Sequence, residues 1–158
     1  MARPPTAPLN LRLVLTNDRA RIREAAAEVG RALDVAGIRA RETHDLLVCM
    51  DEVLSNVIAH GFPDGGEHVL ELAVSQTGDL VRMEVTDDGI AFDPLAPQAE
   101  PAGSPLEREP GHQGLVILHA LADRLEYRRE AGRNRLIVDM RIRASGGAGS
   151  RGQKSGDR

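Results

Sequence analysis

The chain has a single cysteine, Cys49, no tryptophan, and only three aromatic residues, Phe62, Phe92 and Tyr127. One cysteine excludes an internal disulfide and any multi-cysteine metal site. Its flanks, "LLVCMDEV", make it a small buried apolar residue rather than a reactive thiol. With so few aromatics the core must be built from Leu, Val, Ile, Ala and Met, and a stacking platform for single-stranded nucleic acid is nearly excluded. Lysine is nearly missing as well: every basic residue is arginine except Lys154, close to the C-terminus. No run reaches the roughly 18 apolar residues of a membrane span. The opening "MARPPTAPLN" has no apolar stretch of signal-peptide length. The histidines show no zinc-ligand spacing such as H-E-x-x-H. A cytoplasmic protein that binds neither membrane nor nucleic acid is the expectation.

What is present fits one ordinary soluble domain. There are 158 residues, 41% hydrophobic and 28% charged, with a net charge of −4 that gives no nucleic-acid footprint. Residues 1–8 are Pro-rich and expected to be disordered. "LRLVLT" (Leu11 to Thr16) alternates like a strand with one buried face. "NDRARIREAAAEVGRALDVAG" reads as a helix with Asn17 or Asp18 as N-cap, Gly37 as stop, and Ile22, Ala26, Val29 and Leu33 on the apolar face. A second helix is expected from about Thr43 to His60. "HVLELAVSQ" and "DLVRMEVTD" form a hairpin through "TG". Asp88 to Gln113 carries five of the nine prolines and no sustained period, as functional loops or linkers do. "GLVILHALADRL" resumes a helix, and "EYRRE" and "RLIVDMRI" form a last hairpin through "AGRN". Residues 144–158 lack any large apolar side chain and are expected to be a disordered tail. Few helices and many adjacent strands point to an α+β, two-layer α/β sandwich: a mixed, mostly antiparallel sheet with helices on one face.

Three short stretches carry polar groups that this fold alone does not require. In "DEVLSNVIAHGF", Glu52, Asn56 and His60 stand four apart and share one helical stripe, while Leu47, Met50, Leu54, Val57 and Ile58 serve the core side. A solvated stripe would explain this too. A mid-helix Asn, however, competes with its own backbone and costs stability. Magnesium prefers hard oxygen ligands, and the amide oxygen of Asn56 is one. One turn away, Glu52 could take a proton from a group attacking phosphorus. "VTDDGIAFDP" puts Asp87 at a strand end, where it can accept from an exocyclic amine, with Gly89 permitting close approach of a ligand. "DDG" is also ordinary turn chemistry. "PGHQGLVILHALAD" puts Gly111 and Gly114 before a helix whose N-terminus offers free N–H groups to phosphate.

In this order and spacing the three stretches resemble the N box and the two glycine boxes of the Bergerat-fold ATPases. Within that superfamily, "DE..SN...HGF", the "AFDP" ending and the short length resemble the anti-sigma-factor serine/threonine kinases of bacterial partner-switching systems. The resemblance covers roughly Leu9 to Arg143, and a histidine-kinase-like ATPase domain over residues 9–143. It implies ATP and Mg2+ as cofactors, Glu52 as general base and Asn56 as magnesium ligand. It also implies a nucleotide site made by Asn56, Asp87, Gly89, Ala91, Gly111, Gly114 and Leu115, under a lid at about residues 94–112. The implied reaction moves the γ-phosphoryl group of ATP to a serine or threonine of an anti-anti-sigma (STAS-type) protein. The implied partners are that protein and a sigma factor, and the family often forms homodimers. The chain departs from the family pattern at Ala91 and His112, where glycine is usual, and in lacking a Thr in the last hairpin.

Two other functions compete with that one. The first is a non-catalytic module of the same fold that sequesters a regulatory protein, motivated by His112. The second is a detached histidine-kinase catalytic domain. His44, in "ETHDLL", lacks the following proline of a phosphoacceptor and a dimerisation hairpin. His60 is expected to cap or pack at the helix end, and His112 and His119 to be lid and surface residues.

Overall fold

A computed structural model describes residues 8–96 and 111–143, with side chains from residue 114 in the second segment. The expectations for residues 1–7, for the lid between 97 and 110 and for the tail from 144 lie outside these. The elements are β1 (Asn10–Thr16), α1 (Arg19–Val35), α2 (Ala40–His60), β2 (Val69–Thr77), β3 (Leu80–Asp87), α3 (Gly111–Leu121), β4 (Arg124–Glu130) and β5 (Arg133–Arg141).

α1 starts where Asp18 Oδ1 accepts from the Ala20 N–H at 2.9 Å, satisfying one of the free amides of the first turn. It buries Ile22, Ala25, Val29 and Leu33. It ends at Gly37, whose φ of 78° lets the Ile38 N–H reach back to the Leu33 carbonyl. α2 begins at Ala40, ahead of the expected Thr43. Glu42 sits in its first turn, where a carboxylate complements the helix dipole, and pairs with Arg39.

α2 packs against α1, α3 and the sheet. Its buried stripe is therefore wide: Leu46, Cys49, Met50, Val53, Leu54 and Val57, with Leu47 and Ile58 only half-buried at its margins. Cys49 is fully buried, and burial pushes its thiol up to about 11, with Asp45 and Glu52 adding to the effect.

The five strands run in the order β1-β2-β3-β5-β4. Every pairing is antiparallel, so the mixed sheet expected from the sequence is a purely antiparallel one. Leu70, Leu72 and Val74 of β2, Val81, Met83 and Val85 of β3, and Leu136, Val138 and Met140 of β5 face the helices and join one core. At about 25 cal/mol per Å2 of apolar surface removed from water, such rows supply the main driving force of the fold.

The other face of the sheet is charged. Arg82 grips Asp139 through two bonds at 2.7 and 2.8 Å, Arg135 meets Glu84 at 2.8 Å, and Arg133 meets Glu71 at 3.0 Å. Among the described residues the helices therefore cover one face only. The β4–β5 turn is closed by Ala131 and Gly132, both with positive φ (50° and 75°), as a two-residue hairpin of this twist requires.

Candidate functional site

The core-facing rows end in polar residues. β3 reads Val81, Met83, Val85, Asp87 along that face, and β5 reads Asn134, Leu136, Val138, Met140. Asp87 and Asn134 are direct cross-strand partners, and Arg129 of β4 is the partner of Asn134 on its other side. One cross-strand row thus carries Arg129, Asn134 and Asp87 at the edge of an otherwise apolar core.

Asp87 is 2% exposed, so burial demands partners for its carboxyl. Its Oδ1 accepts from the Gly89 N–H at 2.8 Å and from Asn134 Nδ2 at 3.0 Å. Asn134 Nδ2 also donates to the Ile90 carbonyl at 2.7 Å. Asn134 Oδ1 accepts from the Tyr127 hydroxyl at 2.6 Å and from Arg129 at 2.9 Å. Arg129 donates as well to the Gly89 carbonyl at 3.0 Å.

The glycine turn docks on the end of α2, where the Ile90 N–H donates to the Gly61 carbonyl at 2.9 Å. A side chain at position 89 would overlap that carbonyl and stand 2.8 Å from Asp87 Oδ1, so only glycine allows this approach. Val57, Leu136, Phe92 and Pro94 complete an apolar pocket with Asp87 and Asn134 in its wall. The enclosed volume is about 10 Å3, room for one water.

The other half of the site lies on α2 and α3. Glu52 and Asn56 are half-buried on one stripe of α2. Among the described residues neither side chain makes a hydrogen bond. Gly114, buried near the start of α3, lies directly on the Glu52 carboxylate, and a Cβ there would overlap Glu52 Oε2. Gly111 is the first residue of α3 and Leu115 is half-buried next to Gly114. Among the described residues no group of three or more His, Cys, Asp or Glu could hold a metal ion.

The structure therefore brings Glu52 to Gly114, and Asp87 to Gly89. Ala91 is exposed and stands apart from the pocket wall, which its neighbour Phe92 forms instead. His60 is exposed at the end of α2, its ring 5.0 Å from Phe92. His44 and His119 are exposed, and the side chain of His112 is outside the described residues. Asn134, Tyr127 and Arg129 were not singled out from the sequence. The sequence places Asn134 in the turn before the last strand, whereas the structure places it on β5. The alternation Asn134, Leu136, Val138, Met140 was the signal that could have put it on the core face.

A single-layered α+β sheet ending in a buried aspartate, with a glycine turn against it and a glutamate–asparagine helix beside it, defines the histidine-kinase-like class. The chain belongs to the family described as histidine kinase-like ATPase domain, whose model matches residues 15–142. It is 33% identical over 100 residues to the serine/threonine-protein kinase BtrW of Bordetella bronchiseptica, covering 63% of this chain and 70% of that protein. Its fold is similar to the RsbU and RsbW domains of a Mycobacterium tuberculosis protein, with a TM-score of 0.59 and 19% identity. That match covers 84% of this chain but only 32% of the other. It is also similar to the blue-light activated histidine kinase of Erythrobacter litoralis, with a TM-score of 0.53, 22% identity, and coverage of 78% and 40%. No helix among the described residues is long and apolar enough to cross a membrane.

Proposed function

We propose that this chain is an ATP-dependent serine/threonine protein kinase of the anti-sigma-factor class. It works in the cytoplasm, phosphorylates an anti-anti-sigma (STAS-type) protein, and otherwise holds a sigma factor, as a homodimer. The observation that carries this is the pairing of two half-sites on one fold. A buried aspartate suits a base amine, a glutamate stands against Gly114 at the start of α3, and an asparagine follows it one turn along α2, neither hydrogen-bonded among the described residues. The likeness to a serine/threonine kinase supports it.

Asp87 accepts the exocyclic amine of adenine, and Val57 and Leu136 contact the base. Val57 and Leu136 lie in packed elements, so room for the base comes from displacement of Phe92 and Pro94 in the loop. Gly111 and Gly114, in the first turn of α3, and Leu115 just after it face the phosphates, and the free N–H groups of that turn favour an anion. The donor set suits magnesium. The ion keeps several waters and takes few protein ligands, and the Asn56 amide oxygen is uncommitted while no multi-carboxylate cage exists among the described residues. When bound, the ion offsets the charge of the phosphate oxygens. Glu52 takes the proton of the attacking serine or threonine hydroxyl, which is worth about 10²–10⁴ in rate.

The test is phosphotransfer from ATP to candidate STAS proteins, read as acid-stable phosphate. Glu52→Gln should lower transfer at least about a hundredfold while calorimetry shows ATP still bound. Asn56→Ala should remove the magnesium dependence of that binding. Undiminished transfer by Glu52→Gln would sink the proposed base. Tight partner binding without any transfer in the wild type would favour a non-catalytic sequestering module. Acid-labile phosphate on the partner would point to histidine chemistry.

A further inference from the structure

The row that closes the sheet contains a side chain whose orientation its neighbours dictate. The two ends of the Asn134 amide are chemically distinguished: Oδ1 faces the Arg129 guanidinium and the Tyr127 hydroxyl, and Nδ2 faces the Asp87 carboxylate and the Ile90 carbonyl. A guanidinium only donates, and a carboxylate and a carbonyl only accept. Turning the amide over would set donor against donor at Arg129 and acceptor against acceptor at both Asp87 and Ile90. The same Arg129 nitrogen also donates to the Gly89 carbonyl, which ties it to the glycine turn. The outcome is at Asp87. Its Oδ1 already accepts from Gly89 and Asn134. Among the described residues no donor meets Oδ2, and Asp87 lines the pocket.

We propose that Asn134, locked by Arg129 and Tyr127, determines base specificity. It fixes the Asp87 carboxylate so that its spare oxygen selects a purine with a 6-amino group over one with a 6-oxo group. This rests on the nucleotide-binding role assigned to the pocket above. A 6-amino group donates to the spare oxygen. A 6-oxo group opposes acceptor to acceptor, and its base can recover a bond only by offering the neighbouring N1–H. A carboxylate free to turn would follow that N1–H. One pinned through Oδ1 by two N–H groups does not. Asn134 and Arg129 are thus positioning residues acting through Asp87.

Calorimetric titration of the full chain with magnesium-ATP and magnesium-ITP tests this, because the two differ only at the 6-position of the base and its N1 proton. The wild type should prefer ATP by roughly ten- to a hundredfold, the effect of one buried acceptor left unpaired. Arg129→Gln, at an exposed position that should not disturb folding, should narrow that preference about three- to tenfold. Asn134→Ala should narrow it further. A merely structural role would weaken both nucleotides in parallel, and an unchanged ratio in a folded Arg129→Gln protein overturns the proposal while leaving ATP binding intact. Equal affinity of the wild type for both nucleotides overturns it too. Binding of neither nucleotide overturns both this inference and the assignment of the pocket to a nucleotide.

Discussion

The two halves of the candidate site are built on opposite plans. At the sheet end, Asp87, Gly89, Asn134, Tyr127 and Arg129 are knitted into one hydrogen-bond network. On the helix side, Glu52 and Asn56 are half-buried and bound to nothing among the described residues, with only the bare backbone of Gly114 against the carboxylate. The first half fixes the orientation of Asp87 through Oδ1 and leaves its other oxygen toward the pocket. The second keeps its polar atoms uncommitted, which is what groups that must bind an ion or take a proton require. Recognition and reaction are thus separated into a stiff part and an available part.

The same substitution at two glycines should expose this difference. Gly89→Ala drives a Cβ into the Gly61 carbonyl, which is backbone and cannot step aside. It should cost roughly 3 kcal/mol of stability and abolish nucleotide binding, as followed by thermal melting and calorimetry. Gly114→Ala drives a Cβ only into the tip of the Glu52 side chain, which can swing away. Its melting temperature should stay near that of the wild type while phosphotransfer falls about ten- to a hundredfold, because the base is displaced from its position. If Gly114→Ala unfolds the protein as severely as Gly89→Ala, the helix half is as rigid as the sheet half and the contrast fails.

The two halves also differed in how far the sequence revealed them. Helix periodicity put Glu52 and Asn56 on one stripe, because an i, i+4 relation is local and survives without tertiary knowledge. The alternation in "VRMEVTD" put Asp87 at a strand end in the same way. The element order was legible throughout, since each strand and helix carries its own period. Asn134 was not, for two reasons. The strand was taken to begin after it, as "AGRN" looks like turn chemistry throughout, whereas only Ala131 and Gly132 make the turn. Its role, moreover, depends on being opposite Asp87 and Arg129, which are far off or on another strand, and register between strands is not written in either one alone. The apolar face of α2 is wider than the stripe the sequence marks. Leu46 and Val53 join the buried face beside the expected Cys49, while Leu47 and Ile58 pack at its margins, because contact with α1 and α3 widens the apolar face. Ala91 is named as a nucleotide contact by the family pattern alone, and in the structure it is exposed beside Phe92.

The weakest link on the sheet side should be the outer fastening of the α2–β2 connection. His68 stacks on Phe62, with ring centroids 4.4 Å apart, and lies between two carboxylates. Its Nε2 is 2.9 Å from Asp64 and its Nδ1 is 3.4 Å from Asp88, next to the buried Asp87. Both ring nitrogens can donate only in the imidazolium form. Hydrogen bonding to Asp64, with a smaller contribution from Asp88, raises the histidine above its ordinary value of 6.5, and the Gly66 N–H, followed by the bond to His68, holds Asp64 below the usual carboxylate range. The sign follows from linkage. The histidine's contribution is fully present below its unfolded value and is lost as pH rises through the raised folded one. The aspartate's is lost only in acid, as pH falls through its own lowered value. Between about pH 6 and pH 8.5 the wild type should therefore show a small decline in melting temperature that His68→Gln removes. Nucleotide affinity should barely change over that range, because Asp87 is held from the opposite side by Asn134 and Gly89. A loss of affinity in step with the histidine's titration would mean that the turn depends on this exposed clamp, and that the sheet half is less self-sufficient than its hydrogen bonds suggest.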